Sequence, residues 1–419
     1  MERPLRFCMI TTFFPPYSFG GDGIFVERLS NALVELGHQV EVIHCVDSHR
    51  LLSGREVSVG YTVDPRVRVH ALRSRAGVLS PLATHQTGLP LFKRRRIARV
   101  LAAGFDVIHY HNISLVGGPG LLAMGRAVKV WTLHDFWLVC PAHVLPRPGS
   151  GGCSAARCVG CTLAHGRPPQ WWRLSGLVGR SCSRVDALLA PSRFSQGVHR
   201  ERLPGVHVRH LPGAPARPLP GDPPERNPAG RPGPFLFAGR LERVKGLHTL
   251  IPVIRAVRGA RLWVAGEGSQ EEALRRMAGG SPAIRFLGRL PEPDLRSLYR
   301  QCLAVVVPSQ CQEVAPLVIH EAFSEGAPVI ARAVGGAAEL VEESGGGVLY
   351  AGEEDLRVAI ERLLAEPRLA GEMGARARRF YQARLAPDLH LARYLELVRR
   401  LLERGAEEPR AAGAPARGR

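Results

Sequence analysis

Along most of this chain, short runs of β-branched and aromatic residues alternate with stretches in which apolar residues recur at helical spacing. "LRFCMIT" is followed by a segment that sets Val26, Leu29, Leu33 and Leu36 on one helical face, with Gly37 as the expected C-cap before "QVEVIHC". Strand, helix and strand in that order make a βαβ unit, and "DVIHYH" and "VKVWTLHD" read as further strands with polar residues at their carboxyl ends. The text "LPGAPARPLPGDPPERNPAGRPGP" is too rich in proline for a helix or an inner strand. Beyond it the pattern restarts with "PFLFAGRL", "RLWVAGEG", "IRFLG", "CLAVVVPS", "APVIARA" and "GGVLY". The expected organisation is α/β: a Rossmann-like domain over 1–211, a linker over 212–233 and a second doubly wound domain over 234–386. A closing helix over 387–405 and a disordered tail over 406–419 complete it. Two such domains would face each other across a cleft suited to a large polar ligand.

Composition changes this picture little. A chain of 419 residues with 45% hydrophobic content fits two packed domains. The N-terminal "LRFCMITTFFPP" is short, ends in Pro15 and Pro16 and has no small-residue cleavage site, so it reads as a first strand in a cytoplasmic protein. The formal charge is +19, yet lysine stands only at 93, 129 and 245, and arginine, alanine, glycine and proline are all abundant. That profile fits a GC-rich genome better than a nucleic-acid partner. The run "FKRRRIAR" over 92–99 is the exception, a basic surface helix that would be solvated or rest on an anionic membrane.

Three segments carry candidate chemistry. In "FAGRLERVKGL", Arg240 and Lys245 follow a strand, with Gly239 and Gly246 allowing tight turns; two such cations suit a diphosphate, or else are solvated surface charges. "VAGEG" resembles part of a dinucleotide fingerprint, but two glycines there need be no more than a turn. In "PSQCQEVAPLVIHEAFSEG", Pro316 fits the first turn of a helix, which puts Glu313 in the preceding loop and Glu321 well inside the helix. A helix N-terminus there offers free N–H groups to a phosphate, and Glu313 could accept from sugar hydroxyls. Glu321 could reach a ribose, or be satisfied by a core arginine. His109 and His111 are expected on opposite faces of their strand, with His111 lining the cleft and His109 packing.

With these residues in hand, "GRLERVKGL", "EVAPLVIHEAFSEGAPVIA" and "VGGAAE" resemble the retaining glycosyltransferases of family GT4, which have the GT-B fold of two Rossmann-like domains. "FFPPYSFGGDGIFVERLSNAL", "DVIHYHN", "TLHDFW" and "APSRFS" extend the resemblance through the first domain. The resemblance implies that Glu313 binds the donor sugar's hydroxyls, Glu321 the donor ribose, and Arg240 with Lys245 the diphosphate. Gly20 and Gly21 would lie near the diphosphate, His134 near the sugar, and Leu317 in the donor site. It also implies a nucleotide-diphosphate sugar donor, a hydroxyl acceptor and no cofactor for transfer. Two departures stand out: Ala315 and Pro316 replace the family's usual Phe and Gly, and Pro212 in "LPGAP" stands where Asn is usual.

Cys140, Cys153, Cys158 and Cys161 are spaced C-x12-C-x4-C-x2-C within a Gly/Pro-rich loop over 140–161, a pattern suited to a structural zinc ion, with His143 and His165 as fallback ligands. Reduced thiols or two disulfides are the alternatives. Two other functional classes stay open at this point. One is a nucleotide-sugar epimerase of the same fold; the other is a zinc-stabilised nucleic-acid binder, against which the cysteine loop lacks interleaved aromatic and basic residues.

Overall fold

The computed structural model describes residues 3–18, 20–53, 63–143, 145, 158–214 and 233–407. The first domain is a seven-stranded parallel sheet made of β1 (Arg6–Ile10), β2 (Gln39–Cys45), β3 (Arg68–Leu72), β4 (Val107–Tyr110), β5 (Val128–Thr132), β6 (Ala187–Ala190) and β7 (Val208–His210), in the order β3-β2-β1-β4-β5-β6-β7. The second is a six-stranded sheet made of β8 (Phe235–Ala238), β9 (Leu262–Ala265), β10 (Ile284–Gly288), β11 (Val305–Val307), β12 (Val329–Arg332) and β13 (Gly347–Tyr350), in the order β10-β9-β8-β11-β12-β13. Each strand run read from the sequence is present. The structure adds β3, β6 and β7, of which "ALLA" is buried throughout and so shows no alternation.

In both sheets the chain starts in the middle, winds to one edge and returns to build the other. The order therefore reverses between β1 and β4, paired as Phe7 with Val107 and Ile10 with Tyr110, and between β8 and β11, paired as Leu236 with Val305. Connections leave the two central strands in opposite directions there, which opens a crevice at the carboxyl ends. The crevice of one sheet is bounded by Thr11–Phe14 and His111–Asn112, that of the other by Gly239–Arg240 and Pro308–Glu313.

The Gly21–Glu35 helix buries Val26, Leu29 and Leu33 as expected, but Leu36 lies past its end as the C-cap residue and is 55% exposed. Gly37 follows with φ 85 and donates its N–H to the Val34 carbonyl, closing the helix as its sequence predicted. The closing helix runs Pro387–Glu407, two residues further than expected, and packs against the first domain. Tyr394, Leu395 and Val398 join the core of Phe7, Met9 and Val130, so the last helix crosses back from the second domain. Positions 215–232 of the linker and 408–419 of the tail lie outside the described residues.

Two expectations need correction. The Arg94–Leu101 helix exists, but Lys93 at its start is 1% exposed and donates from Nζ to Ser80 Oγ at 2.8 Å, so the run is not a uniformly solvated basic face. His109 and His111 do not point to opposite faces. Residues two apart in an extended chain share a face, and their rings stand 4.1 Å apart, both buried.

Candidate active site

The loop after β8 and the loop after β11 meet at Gly246, whose φ is 77; a Cβ there would come within 1.8 Å of the Pro308 carbonyl oxygen. No residue with a side chain fits this approach. It brings Lys245 beside Glu313, Nζ to Oε1 at 2.6 Å, and Ser309 Oγ donates to the same oxygen at 2.7 Å. Burial would raise the Glu313 carboxyl, but the Lys245 charge and hydrogen bond, together with Ser309 and Arg240, hold it below the ordinary carboxylate value. Glu313 is thus an anion fixed by its neighbours. Arg240 is exposed, and it forms no hydrogen bond or ion pair with the described residues.

The Leu317–Ser324 helix begins directly after Pro316, which supplies no side-chain cap; the Ile319 N–H donates to the Pro316 carbonyl at 3.0 Å. Leu317 reaches across the interface: a Cβ on Gly21 would lie 3.1 Å from its Cδ1, and it packs against the first domain's core. Gly21 and Leu317, read separately as donor-binding positions, therefore touch. Gly20 is the N-cap of the Gly21–Glu35 helix, and the next residue, Asp22, accepts from Asn112 Nδ2 at 3.2 Å and from the Gly23 N–H at 2.9 Å. Burial and the charge of Asp135 push the Asp22 carboxyl up, and Arg240 is among the groups opposing this, so both domains meet here.

Each carboxylate oxygen of Glu321 has a partner. Arg28, 8% exposed and on the opposite domain, donates to Oε1 at 3.1 Å, and Tyr299 donates its hydroxyl to Oε2 at 3.0 Å. Arg28 also lies 3.4 Å from Glu292. Burial disfavours its charge, but Glu321 and Glu292 outweigh that and raise its pKa. A core arginine does satisfy Glu321, then, and it comes from across the cleft. A second bridge joins the motifs "VGGAAE" and "APSRFS": Glu339 accepts from the Arg193 N–H at 2.8 Å and the Phe194 N–H at 2.7 Å, the opening amides of the Arg193–Arg202 helix. Gly336 is closely packed here: a Cβ would lie 1.9 Å from the Val314 carbonyl oxygen of its own domain and 3.1 Å from Ser192 Oγ of the other.

On the first domain, His134 and Asp135 follow β5. His134 Nε2 stands 2.9 Å from His111 Nδ1, and burial, followed by the charge of His390, pushes its pKa down to about 4 against the opposing Asp135, leaving it neutral near pH 7. Asp135 pairs with His143 Nδ1 at 2.7 Å and accepts from the Trp137 N–H at 2.9 Å. Burial would raise this carboxyl, and His143 and the Trp137 N–H more than offset it, so Asp135 is an anion. His111, His134, Asp135 and Trp137 line one small pocket, and among the described residues His111 Nε2 and Trp137 Nε1 have no hydrogen-bond partner. His109 is tied down by Tyr394 and Thr132, at 2.9 and 2.8 Å, which is the packing role expected of it.

The chain matches the family described as "Glycosyltransferase Family 4" over residues 19–214 and "Glycosyl transferases group 1" over residues 233–366. It is 31% identical over 391 residues to D-inositol 3-phosphate glycosyltransferase of Frankia alni, covering 85% of this chain and 89% of that protein. The chain belongs to glycosyltransferase family 4. A glycogen synthase of Mycobacterium tuberculosis is 27% identical over 403 residues, covering 90% of this chain and 89% of that one. Among solved structures, sucrose-phosphate synthase of Thermosynechococcus elongatus superimposes with a TM-score of 0.72 at 22% identity, over 96% of this chain and 100% of that one. Anabaena HepE, solved with UDP and glucose, does so at 0.63 and 17%, over 94% of this chain and 99% of that one. The architecture of this family 4 member is the GT-B fold, two Rossmann-like domains facing across a cleft.

The cysteine expectation reaches outside the described residues, because Cys153 is not among them. Among the described residues, no three His, Cys, Asp or Glu side chains are grouped as a metal site. Cys140 is buried with Phe136, Ala142 and Leu145, and Cys161, which shares the Cys158–Ala164 helix with Cys158, packs against the same cluster. Of the fallback ligands, His143 Nδ1 is paired with Asp135, and His165 Nδ1 lies 2.8 Å from the Cys161 carbonyl oxygen and 3.9 Å from Cys161 Sγ. No helix among the described residues is long and apolar enough to cross a membrane.

Proposed function

We propose that this family 4 glycosyltransferase takes a sugar from a nucleoside-diphosphate sugar and transfers it to an acceptor hydroxyl with retention at the anomeric carbon. The observation that carries the reading is the fixed Lys245–Glu313–Ser309 cluster beside the unpaired Arg240 and the start of the Leu317–Ser324 helix, which has no side-chain cap. Arg240, Lys245 and the helix amides would stabilise negative charge on the departing diphosphate, which needs no metal-ligand group of its own. Glu313, anionic and acceptor-only, suits sugar hydroxyls. HepE, of the same fold, has been solved with UDP-glucose, and UDP-glucose is therefore the first nucleotide sugar to test here.

No carboxylate is assigned as a nucleophile. The bond from the anomeric carbon to the diphosphate oxygen breaks while the acceptor oxygen bonds to the same face, and the acceptor proton passes to the departing oxygen. Neutral His134 is assigned to a sugar hydroxyl, with His111 fixing its ring. Glu321 is assigned to the ribose; because Arg28 now holds it, the donor must compete with that contact or close around it.

A thermal-shift panel of nucleotide sugars tests the donor class, since a ligand bound only by the folded state raises the melting temperature. Proton NMR of the transfer product then reads the anomeric configuration. Retention is expected. An inverted product would overturn the mechanism, and conversion of the donor alone into its epimer would overturn the transfer reading.

A further inference from the structure

The second half of the first domain has a charge distribution that donor chemistry does not use. Between Pro65 and Val185 the sequence holds seventeen Lys or Arg and two acidic residues, Asp106 and Asp135. Both acids are occupied: Asp106 accepts from Arg3 at 2.5 Å and from the Arg6 N–H at 2.8 Å, and Asp135 pairs with His143. This stretch accounts for most of the net charge of +19.

Within it, one surface is apolar as well. The Leu79–Thr87 helix and the segment leading into the Arg94–Leu101 helix expose Leu79 (60%), Leu91 (51%) and Phe92 (55%). The Trp171–Ser175 turn beside them exposes Trp171 (57%) and Leu174 (74%). These pieces are tied together by hydrogen bonds. Lys93 Nζ donates to Ser80 Oγ at 2.8 Å, joining the two helices, and Trp172 Nε1 donates to the His85 carbonyl at 2.8 Å, joining the turn to the first of them. Arg94, Arg95 and Arg99 stand exposed on the next helix, whose buried face is Ile97 and Leu101, and they make no ion pair among the described residues. Leucine and aromatic side chains flanked by unpaired arginines match an anionic lipid surface, where rings insert at the headgroup level and guanidinium groups meet phosphates.

We infer that this surface, centred on Phe92, Leu91, Trp171 and Leu174 and flanked by Arg94, Arg95 and Arg99, docks the protein on an anionic lipid bilayer. A nucleic acid would use the same arginines but not the outward leucines. The surface adjoins the segment carrying His134 and Asp135, because Arg173 of the same turn donates to the Trp137 and Leu138 carbonyls. Docking would therefore hold the first domain's side of the cleft at the membrane and leave the second domain free.

The test is co-sedimentation of the full chain with vesicles of phosphatidylglycerol and phosphatidylcholine in equal parts, and of phosphatidylcholine alone. Binding is expected to the first and not the second. Each Arg→Gln change at 94, 95 or 99 should weaken it roughly fivefold, and Phe92→Asp should abolish it. Leu174→Ser, at the most exposed of these positions, gives a second variant should Phe92→Asp fail to fold. Absence of sedimentation with anionic vesicles, or full binding by both Phe92→Asp and Leu174→Ser, would overturn the assignment. So would tight RNA binding that survives Leu174→Ser while vesicles are ignored. The inference is independent of the transfer reading: the nucleotide-sugar thermal shift should be the same in Leu174→Ser as in wild type.

Discussion

Replacing Lys245 with Met removes a charge while keeping most of the side chain's volume, and its consequences follow from the geometry. Lys245 Nζ sits 2.6 Å from Glu313 Oε1, with side chains 25% and 15% exposed. At an effective dielectric constant of about 20, charges so close attract by roughly 6 kcal/mol before desolvation is counted. Removing one partner of a buried pair costs about 3–5 kcal/mol. Because Lys245 is a quarter exposed and Ser309 still donates to Glu313, we expect about 2 kcal/mol. Glu313→Gln in the Lys245→Met background should recover part of this loss, since no buried charge is then left unpaired. In wild type the lowered Glu313 pKa stabilises the fold above the carboxylate's unfolded value, and that contribution is lost as pH falls through the folded value. In Lys245→Met, burial is no longer offset and the carboxyl titrates higher, so the variant's deficit should shrink as pH falls and Glu313 takes up a proton. Equilibrium unfolding of the two single variants and the double gives the coupling directly. Additive losses, or a deficit that grows toward acid, would refute the pairing.

Arg240→Ala should leave the melting temperature unchanged, because the side chain is exposed and unpaired, yet lower kcat/KM for transfer at least tenfold or so; initial-rate kinetics with a melting curve separate the two. Glu339→Ala uncaps the Arg193–Arg202 helix across the interface and should cost about 1 kcal/mol, read by chemical denaturation. His44, His134, His320 and His390 are each pushed down to about 4, first by burial. The unfolded chain therefore binds protons before the folded one does, and stability should fall as pH drops from about 6.5 toward 4, a trend that denaturation at a series of pH values would reveal.

The doubly wound halves were legible because parallel strands buried on both faces read as continuous apolar runs between amphipathic helices. "ALLA" and "VRH" were not, being too short to be told from loop or helix. Lysine scarcity singled out Lys245, though its real correlate is burial: Lys93 bonds Ser80, and Lys129 donates to the Leu122 carbonyl at 2.7 Å. Glu313 and Lys245 were legible as separate motifs, but their contact depends on Gly246 admitting the Pro308 carbonyl, a tertiary fact. Arg28 and Asp22 are not legible because each lies within or beside an apolar pattern and acts on a partner distant in sequence or on the other domain, whereas Asp135 pairs locally with His143 and the Trp137 N–H. Asp135 had one signal, its place directly after His134. The cysteine spacing points to a metal, and Cys153, which would complete the set, lies outside the described residues.

The most direct test of the donor assignment is calorimetry with the nucleotide sugar that gives the largest thermal shift and with the matching free nucleoside diphosphate, on wild type, Arg240→Ala and Glu313→Gln. If Arg240 holds the diphosphate and Glu313 the sugar, Arg240→Ala weakens both ligands, whereas Glu313→Gln weakens the nucleotide sugar and leaves the free diphosphate near its wild-type affinity. Equal losses for both ligands in Glu313→Gln, or unchanged binding in Arg240→Ala, would contradict it.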